Sequence, residues 1–250
     1  MDGGIEAKFV EDSKQGQHAL PDYLVKTYRW AYLTPASLLL LDNPVVLTAI
    51  LWGNLPRLVR TACDEFRPGQ RVLQAACAYG NLSPELAAQL GPRGRLEVID
   101  VAPLQVAHVQ RKLTEFPHAR ARIADATAPG GGVYDAVCCF FLLHEIPDPE
   151  KAAVVEALLG SVEPGGKVVF VDYHRARPWN PLRAPMGLVF RLLEPFALGL
   201  VQREIADFAS PDTRSQFAWT KETFFGGLYQ KVVAIRSGGE PSAPGAAPAA

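Results

Sequence analysis

The segment from residue 71 to residue 100 constrains the fold of this 250-residue chain most strongly. It begins with the apolar run RVLQA, passes through the small residues of ACAYG and the helix-like NLSPELAAQL, and ends with RLEVID at Asp100. A strand, a tight turn, a helix and a second strand that ends in an acid are typical of a nucleotide-binding βαβ unit. The helix N-terminus offers free N–H groups there, and the acid accepts hydrogen bonds from ribose hydroxyls.

Strands and helices are predicted to alternate through the rest of the chain. Further strands are expected in ARARIAD, YDAVCCFFLLHE, KVVFVDYH and LYQKVVAIR, and helices in PLQVAHVQRKL and PEKAAVVEALLGSV. The run Glu163-Pro164-Gly165-Gly166 is expected to stop the second of these helices. The apolar run around Cys138 and Cys139 is typical of a strand buried on both faces. The pattern predicts an α/β fold with a mostly parallel, seven-stranded, Rossmann-like sheet.

Composition predicts one domain with disordered ends. Hydrophobic residues make up 48% of the chain, enough for a full core. The domain is predicted over 20–236, as a helical lid (20–66) followed by an α/β core (67–236) that contains an apolar helical insert (179–201). Residues 1–19 and 237–250 are polar or rich in Gly, Ser, Pro and Ala, and are predicted to be disordered.

Two apolar stretches lie close to the length of a membrane span. ASLLLLDNPVVLTAILW is interrupted by Asp42, Asn43 and Pro44, and MGLVFRLLEPFALGLV is interrupted by Arg191, Glu194 and Pro195. Both are too polar to span a bilayer, but they are apolar enough to lie on a membrane or to line an apolar pocket. Ordinary packing against the core is the alternative.

Charge and cysteine usage indicate the compartment. The formal net charge of −1 argues against a protein that binds nucleic acid through its phosphates. Four cysteines, at positions 63, 77, 138 and 139, have no metal or disulfide spacing and are expected to be buried thiols in a reducing compartment. The first twenty residues lack the pattern of a signal peptide. A cytoplasmic protein is therefore expected.

Ligands of an open parallel sheet bind beyond the carboxyl ends of its strands, so the residues there are the candidate site. The predicted cofactor contacts are Ala76, Ala78, Gly80, Asp100, Asp125 and Ala126. Asp100 is expected to bind a ribose, and Asp125 lies where an adenine edge is expected. Alternatively, Asp100 is a helix N-cap ahead of Pro103 and Asp125 an ordinary loop acid.

Two histidines and two acids follow the fourth and fifth strands: His144 and Glu145, then Asp172 and His174. His144, Asp172 and His174 are residue types suited to acid–base chemistry or to a divalent metal, and their ligand set favours manganese or iron over a closed zinc site. Tyr79 is a fourth catalytic candidate, placed to stack on a cofactor or substrate. Alternatively, His144 caps a strand, one histidine bonds the backbone, and Tyr79 fills space left by missing glycines.

Strand order and motif positions resemble those of the class I S-adenosylmethionine (SAM)-dependent methyltransferases. A narrower resemblance, over about residues 21–235, is to the rhodoquinone-biosynthesis methyltransferase-like family. It is carried by YLVKTYRWAY, AILWGN, VLQAACAYGNL, CFFLLHEIP, PGGKVVFVDYHR, NPLRAPM, LEPFAL and FFGGLYQKVV. One motif departs: the family's loop reads CVYGD, and this chain has CAYGN from Cys77 to Asn81.

The narrower resemblance implies an unusual reaction on ubiquinone or a related isoprenoid quinone. An amino group would replace a ring methoxy group, with SAM as amino donor and Mn²⁺ assisting, in a protein peripherally bound to the inner membrane. The metal would lie near His144, Asp172 and His174, and the quinone ring would lie between the insert (181–200) and the lid aromatics Tyr28, Trp30 and Tyr32.

Two other functions remain open. The first is conventional SAM-dependent methyl transfer to a quinone or other lipophilic acceptor, with His144 or His174 as base. The second is a non-catalytic protein with a SAM-binding fold that binds a lipid or a biosynthetic complex. The loss of glycines at positions 76 and 78 favours the non-catalytic reading, whereas Asp100 and Asp125 argue against it.

Overall fold

A single seven-stranded sheet organises the computed structural model, which describes residues 42–238. Along the chain the strands are β1 (Arg71–Ala75), β2 (Arg95–Asp100), β3 (Ala119–Ile123), β4 (Tyr134–Phe140), β5 (Val162–Tyr173), β6 (Phe217–Phe224) and β7 (Tyr229–Arg236). Their order in the sheet is β3-β2-β1-β4-β5-β7-β6, and β7 alone runs antiparallel to its neighbours β5 and β6. The predicted mostly parallel, seven-stranded α/β fold is confirmed.

Helices cover both faces of this sheet. Within the described residues they are α1 (Pro44–Ile50), α2 (Leu55–Cys63), α3 (Leu82–Leu90), α4 (Pro103–Lys112), α5 (Asp148–Gly160), α6 (Arg183–Leu192), α7 (Ala197–Gln202) and α8 (Pro211–Ser215), with 3₁₀ turns at Leu143–Glu145 and Ile205–Phe208. No helix between residues 42 and 238 has the length and apolar character needed to cross a membrane.

Two hydrophobic cores, one on each face, hold the layers together. On one face α2 and α3 pack against the sheet through side chains such as Leu58 and Leu86, both fully buried. On the other face α5 contributes Val155 and Leu158 to a core that includes Leu73 of β1. Because the central strands are buried on both faces, their sequences are runs of apolar residues without alternation.

The strand order reverses between β1 and β4. β1 pairs with β2 on one side and with β4 on the other, and all three are parallel. The connections leaving β1 and β4 therefore go to opposite sides, and a crevice opens beyond the carboxyl ends of these strands. The predicted site residues follow these strands or their neighbours β2, β3 and β5.

Three local predictions needed correction. β6 was not located from the sequence. β4 ends at Phe140, because Phe141 has φ +53° and Leu143–Glu145 form a 3₁₀ turn instead of more strand. The helix α5 ends at Gly160, and Pro164–Gly166 lie within β5. There Tyr134 of β4 pairs with Val162 of β5 and Ala136 pairs with Lys167, so β5 has three more residues than β4 between the two pairs. The Pro-Gly-Gly run is thus a bulge in a strand.

Within residues 42–238, the interrupted apolar stretches contain the short helices α1, α6 and α7. Asn43 caps α1, its side chain accepting a hydrogen bond from the N–H of Val45 at 2.9 Å, so the polar interruption is a helix start. The insert after β5 forms α6 and α7 and buries Met186 and Phe190. The lid aromatics Tyr28, Trp30 and Tyr32, and the ends predicted to be disordered (1–19 and all but 237–238 of 237–250), lie outside the described residues.

Candidate active site

The turn after β1 has positive φ angles of the kind that glycine adopts, although Gly80 is its only glycine. Ala76 has φ +70° and Gly80 has φ +82°. A Cβ at Gly80 would lie 3.1 Å from Cδ2 of Leu47, so both the dihedral angle and the space favour glycine there. Ala76 and Phe141 both take left-handed backbone conformations directly after the two strands that flank the crevice. Such strain is typical of functional sites.

We expect Ala76→Gly to stabilise the protein, because glycine adopts a positive φ without the steric cost that alanine carries. The gain should be about 1 kcal/mol, or roughly 2–4 °C in melting temperature for a domain of this size. The matched control is Ala153→Gly on the exposed face of α5, which should lower the melting temperature. A lower melting temperature for Ala76→Gly would contradict the assignment of strain to this turn.

Asp100 lies at the bottom of the crevice. Its two carboxylate oxygens accept hydrogen bonds from the backbone N–H groups of Cys77 and Ala102, each at 2.8 Å. Burial raises the pKa of this carboxyl to about 6, and the backbone N–H donors only partly offset that effect. The residue that precedes α4 as its N-cap is Ala102, so Asp100 is not the N-cap itself. Its carboxylate instead joins the β1 turn to the start of α4.

Asp125 and its neighbours form the far wall of the crevice. The Oδ1 atom of Asp125 accepts hydrogen bonds from both the N–H and the hydroxyl of Thr127, at 2.8 Å each, which fixes the turn after β3. Asp125 and Ala126 line the same cavity as Asp100 and Ala76. The structure therefore brings most of the predicted cofactor residues to one cavity.

Two adjoining cavities occupy the crevice. The first, here called the carboxylate cavity, is about 500 Å³ and is lined by Ala76, Ile99, Asp100, Val101, Ala124, Asp125, Ala126, Thr127, Leu142, Ile146, Pro147, Glu150 and Val154. The second, the aromatic cavity, is about 420 Å³, and its walls include Trp52, Tyr79, Phe140, Phe141 and Tyr173. Ala76 and Asp100 line both. Such a pair of cavities can hold two ligands side by side.

His144 and Asp172 form a buried pair in the wall of the aromatic cavity. Nδ1 of His144 lies 2.9 Å from Oδ1 of Asp172, whose other oxygen accepts the N–H groups of Leu143 at 2.9 Å and His144 at 3.3 Å. Burial alone would lower the pKa of His144, but the Asp172 carboxylate outweighs it and raises the pKa to about 9. His144 is therefore an imidazolium at neutral pH.

Aromatic rings and a second carboxylate surround this imidazolium. Phe141 and Tyr173 meet its ring edge to face, with ring centroids 5.6 Å and 4.9 Å away. Nε2 lies 3.7 Å from a carboxylate oxygen of Glu145, which also lines the aromatic cavity. Burial raises the pKa of Tyr173 well above its usual value, so its hydroxyl stays neutral.

His174 does not join this group. Its Nδ1 lies 3.0 Å from the carbonyl oxygen of Gly227, and its Nε2 lies 3.5 Å from Nζ of Lys221, outside both cavity walls. Asp172 already accepts four hydrogen-bond donors. Among residues 42–238 there is no group of three or more His, Cys, Asp or Glu side chains that could hold a metal ion. The predicted metal set of His144, Asp172 and His174 is not assembled.

Of the remaining predicted residues, Tyr79 and Ala78 lie in the wall of the aromatic cavity, whereas Gly80 lines neither cavity. Tyr79 is buried in the aromatic cavity and accepts a hydrogen bond from Nε2 of Gln105 at 2.9 Å, so it fills the space beside the turn and also faces the cavity. Ala78 lines the same cavity. All four cysteines are buried free thiols, as expected.

Sequence reasoning missed two cavity acids. Glu150, in the first turn of α5, lines the carboxylate cavity, and Glu194, between α6 and α7, lines the aromatic cavity. The only signal for Glu194 was its position inside an apolar stretch, where a charged residue is unusual. Glu150 follows a proline at a helix start, where an acid is common for reasons of helix polarity alone.

Comparisons with known proteins agree with this geometry. Residues 72–166 match the family model described as a methyltransferase domain. The chain is 32% identical over 127 residues to the ubiquinone biosynthesis O-methyltransferase of Cronobacter sakazakii, covering 50% of each protein. The corresponding enzyme of Xanthomonas campestris pv. campestris is 32% identical over 126 residues, 49% of this chain and 51% of that protein. The chain thus spans about half the length of the curated relatives it matches.

Solved structures show the same fold. A SAM-dependent methyltransferase from Aquifex aeolicus superposes with a TM-score of 0.55 at 17% identity, covering 81% of this chain and 98% of the other. An O-methyltransferase family protein from Burkholderia thailandensis gives a TM-score of 0.57 at 18% identity, over 80% and 59% of the two chains. Sheet order, crevice and structural neighbours show that the chain has the fold of the class I SAM-dependent methyltransferases, and residues 72–166 match the methyltransferase domain model.

Proposed function

We propose that the chain is a SAM-dependent transferase that modifies the ring of ubiquinone or a related isoprenoid quinone. The observation that carries this proposal is the pair of adjoining cavities, of which the second is richer in aromatic and apolar side chains, with Ala76 and Asp100 in the walls of both. The relatives named for ubiquinone biosynthesis support the choice of acceptor.

The carboxylate cavity fits SAM. Asp100 lies where it would accept the ribose hydroxyls, Asp125 and Ala126 would border the adenine, and Ala76, Ala78 and Gly80 would face the amino-acid end. Each oxygen of Asp100 accepts a backbone N–H, and the ribose hydroxyls would add to these hydrogen bonds. When bound, SAM supplies an activated methyl group on its sulfonium centre.

The aromatic cavity fits a planar, oxygenated ring. The imidazolium of His144 is placed to donate a hydrogen bond from Nε2 to a ring oxygen, and Asp172 holds the imidazole in that orientation. Glu145, beside Nε2, is placed to accept the proton that a ring hydroxyl loses. Tyr79 would contact the edge of the acceptor, and the apolar walls would exclude water.

Methyl transfer to a ring hydroxyl is the form of the reaction that the relatives support. The second candidate is replacement of a ring methoxy group by an amino group with SAM as donor, as the resemblance to the rhodoquinone family implies. The turn after β1 carries Ala76, Ala78 and Tyr79 where glycines are usual. This favours the amino-transfer candidate, because side chains there would change the position of the amino-acid end of SAM. Mn²⁺ assistance has no assembled ligand set among residues 42–238.

Mass spectrometry of the quinone after incubation with purified protein and SAM tests the proposal. The acceptors are ubiquinone and a demethylated ubiquinone precursor that carries a free ring hydroxyl, each with and without Mn²⁺. A product with one added methyl group supports methyl transfer, and an amino group in place of methoxy supports the second candidate. Unchanged acceptors would overturn the proposal, and SAM binding without turnover would then favour a non-catalytic lipid-binding protein.

We also propose peripheral contact with the inner membrane, where isoprenoid quinones reside. The helix α6 buries Met186 and Phe190 but exposes Leu188 and Leu192, at 58% and 70%. Ile50, Trp52 and Leu193 are exposed and also line the aromatic cavity, so an apolar surface surrounds its mouth. The exposed Arg183 and Arg191 on α6 suit anionic headgroups. A quinone tail could thus remain in the lipid while the ring enters the cavity.

We expect Leu188→Glu/Leu192→Glu to weaken binding to anionic phospholipid vesicles by at least about tenfold, because each exposed leucine would contribute on the order of 1–3 kcal/mol on insertion. Co-sedimentation with phosphatidylglycerol vesicles measures this. The control, Val133→Glu/Ile235→Glu, changes two exposed apolar residues at the opposite edge of the sheet. Equal loss in both variants, or no loss in the first, would contradict a specific membrane-facing surface.

A further inference from the structure

Asp42, directly before α1, forms the centre of a charged cluster around the β1 turn. One of its oxygens accepts the N–H of Gly80 at 2.8 Å. Nζ of Lys112, at the end of α4, lies 2.8 Å and 3.0 Å from its two oxygens, and Nε2 of His108 lies 2.8 Å from the second. Lys112 also donates to the carbonyl oxygen of Gly80. Both backbone polar groups of Gly80 are thus held by this cluster.

The cluster joins the parts of the protein that form the two cavities. Gly80 ends the turn that begins at Ala76, which lines both cavities. Asp42 leads directly into α1, and the segment from Leu47 to Trp52 forms one wall of the aromatic cavity. The turn and that wall are therefore joined by the charged contacts of Asp42.

Asp42 is ionised in this setting. Its side chain is only 18% exposed, and burial alone would raise its pKa. Lys112, the N–H of Gly80 and His108 outweigh burial and lower the pKa of the carboxyl. Removing one partner of such a part-buried charged pair costs more than removing an exposed surface pair.

We propose that Asp42 is a positioning residue that couples the two cavities, so that SAM and the quinone bind with positive cooperativity. A ligand that orders the turn in the carboxylate cavity also orders the α1 wall of the aromatic cavity, and the effect is reciprocal by linkage. The proposal rests on the proposed function.

Calorimetry with the full-length protein tests the coupling. The affinity for a short-chain ubiquinone is measured with and without saturating S-adenosylhomocysteine (SAH), and the ratio is the coupling factor. We expect a factor of about ten for the wild type, within the usual range for coupled sites. In Asp42→Asn and in Lys112→Gln it should fall to about one, with weaker SAH binding. In steady-state assays both variants should raise KM for SAM and quinone more than they lower kcat.

The control is Glu222→Gln, which removes one negative charge from the ion pair between the exposed Glu222 and the buried Lys231 on β6 and β7. It should leave the coupling factor unchanged. A wild-type protein that binds both ligands without coupling, or full coupling in folded Asp42→Asn and Lys112→Gln, would overturn the proposal for Asp42 while leaving the proposed function intact. A wild-type protein that binds no SAH would overturn the proposed function and this inference with it.

Discussion

Asp100→Asn is expected to weaken SAH binding by at least about a hundredfold. The ionised carboxylate can accept two ribose hydroxyls, and hydrogen bonds to a charged acceptor contribute on the order of 1.5–3 kcal/mol each. Asparagine offers one acceptor oxygen and must also leave either the Cys77 or the Ala102 N–H without its partner. Isothermal titration calorimetry with SAH measures the loss.

Asp135→Asn is the matched control, because Asp135 also accepts a backbone N–H, from Arg71 at 2.6 Å, but at the opposite edge of the sheet. SAH affinity in this variant should match the wild type. If Asp100→Asn bound SAH as tightly as Asp135→Asn does, the assignment of Asp100 to the ribose would be wrong.

The raised pKa of Asp100 adds a pH dependence. Because its pKa is about 6 in the folded protein against an ordinary value of 3.8, the carboxyl is mostly protonated in the folded state below pH 6. SAH affinity should therefore rise from pH 5 to pH 7 and then level off. Ionising the buried carboxyl costs stability, so the unliganded protein should lose stability as the pH rises from about 4 to about 6. Asp100→Asn should show neither effect.

His144→Gln is expected to lower kcat by about 10²–10³-fold with little change in SAH affinity. Removing one preorganised donor to a developing negative charge has an effect of this size, and His144 lines only the aromatic cavity. Steady-state kinetics with the acceptor identified by mass spectrometry measures it. The control is His174→Gln, since His174 lies on the adjoining strand end but lines neither cavity. Equal losses of kcat in the two variants would show that the assignment of His144 as the hydrogen-bond donor is wrong.

The pH dependence separates the role of His144 from a purely structural one. The pKa of His144 is raised to about 9 from 6.5, so its contribution to stability is complete below about pH 6.5 and is lost as the pH rises through 9. Activity should fall over the upper part of that range. Asp172→Asn removes the charge that raises this pKa, so its activity should fall at lower pH than in the wild type. An unshifted profile would show that Asp172 does not act through His144.

Much of the candidate site could be predicted from the positions of the strand ends in the sequence. Asp100, Asp125 and His144 were predicted because they follow apolar runs, and carboxyl ends of parallel strands meet at one edge of a sheet. The three predicted metal ligands are not brought together, for a related reason. Residues two apart in a strand share a face, so the sequence places Asp172 and His174 together. β5 ends at Tyr173, however, and the His174 ring contacts the carbonyl oxygen of Gly227 instead.

The strand β6 and the Asp42 cluster depend on contacts between residues that are distant in the sequence. β6 carries charged and polar residues along an edge, so its sequence has no buried apolar run, and pairing with β7 makes it a strand. Asp42 lies 38 residues from Gly80 and 70 from Lys112 along the chain, and no sequence spacing relates them.

The sequence by itself determined the alternation of most strands and helices, the parallel core and the acids at or just after the ends of β2 and β3. These follow from local periodicity, from apolar runs and from the turn chemistry of each connection. Only the tertiary structure decided that Ala76 takes a glycine-like conformation, that Asp172 keeps His144 protonated and that Asp42 holds the β1 turn. Those properties depend on burial and on partners distant in sequence, because a pKa or a backbone strain is set by the surroundings that folding creates.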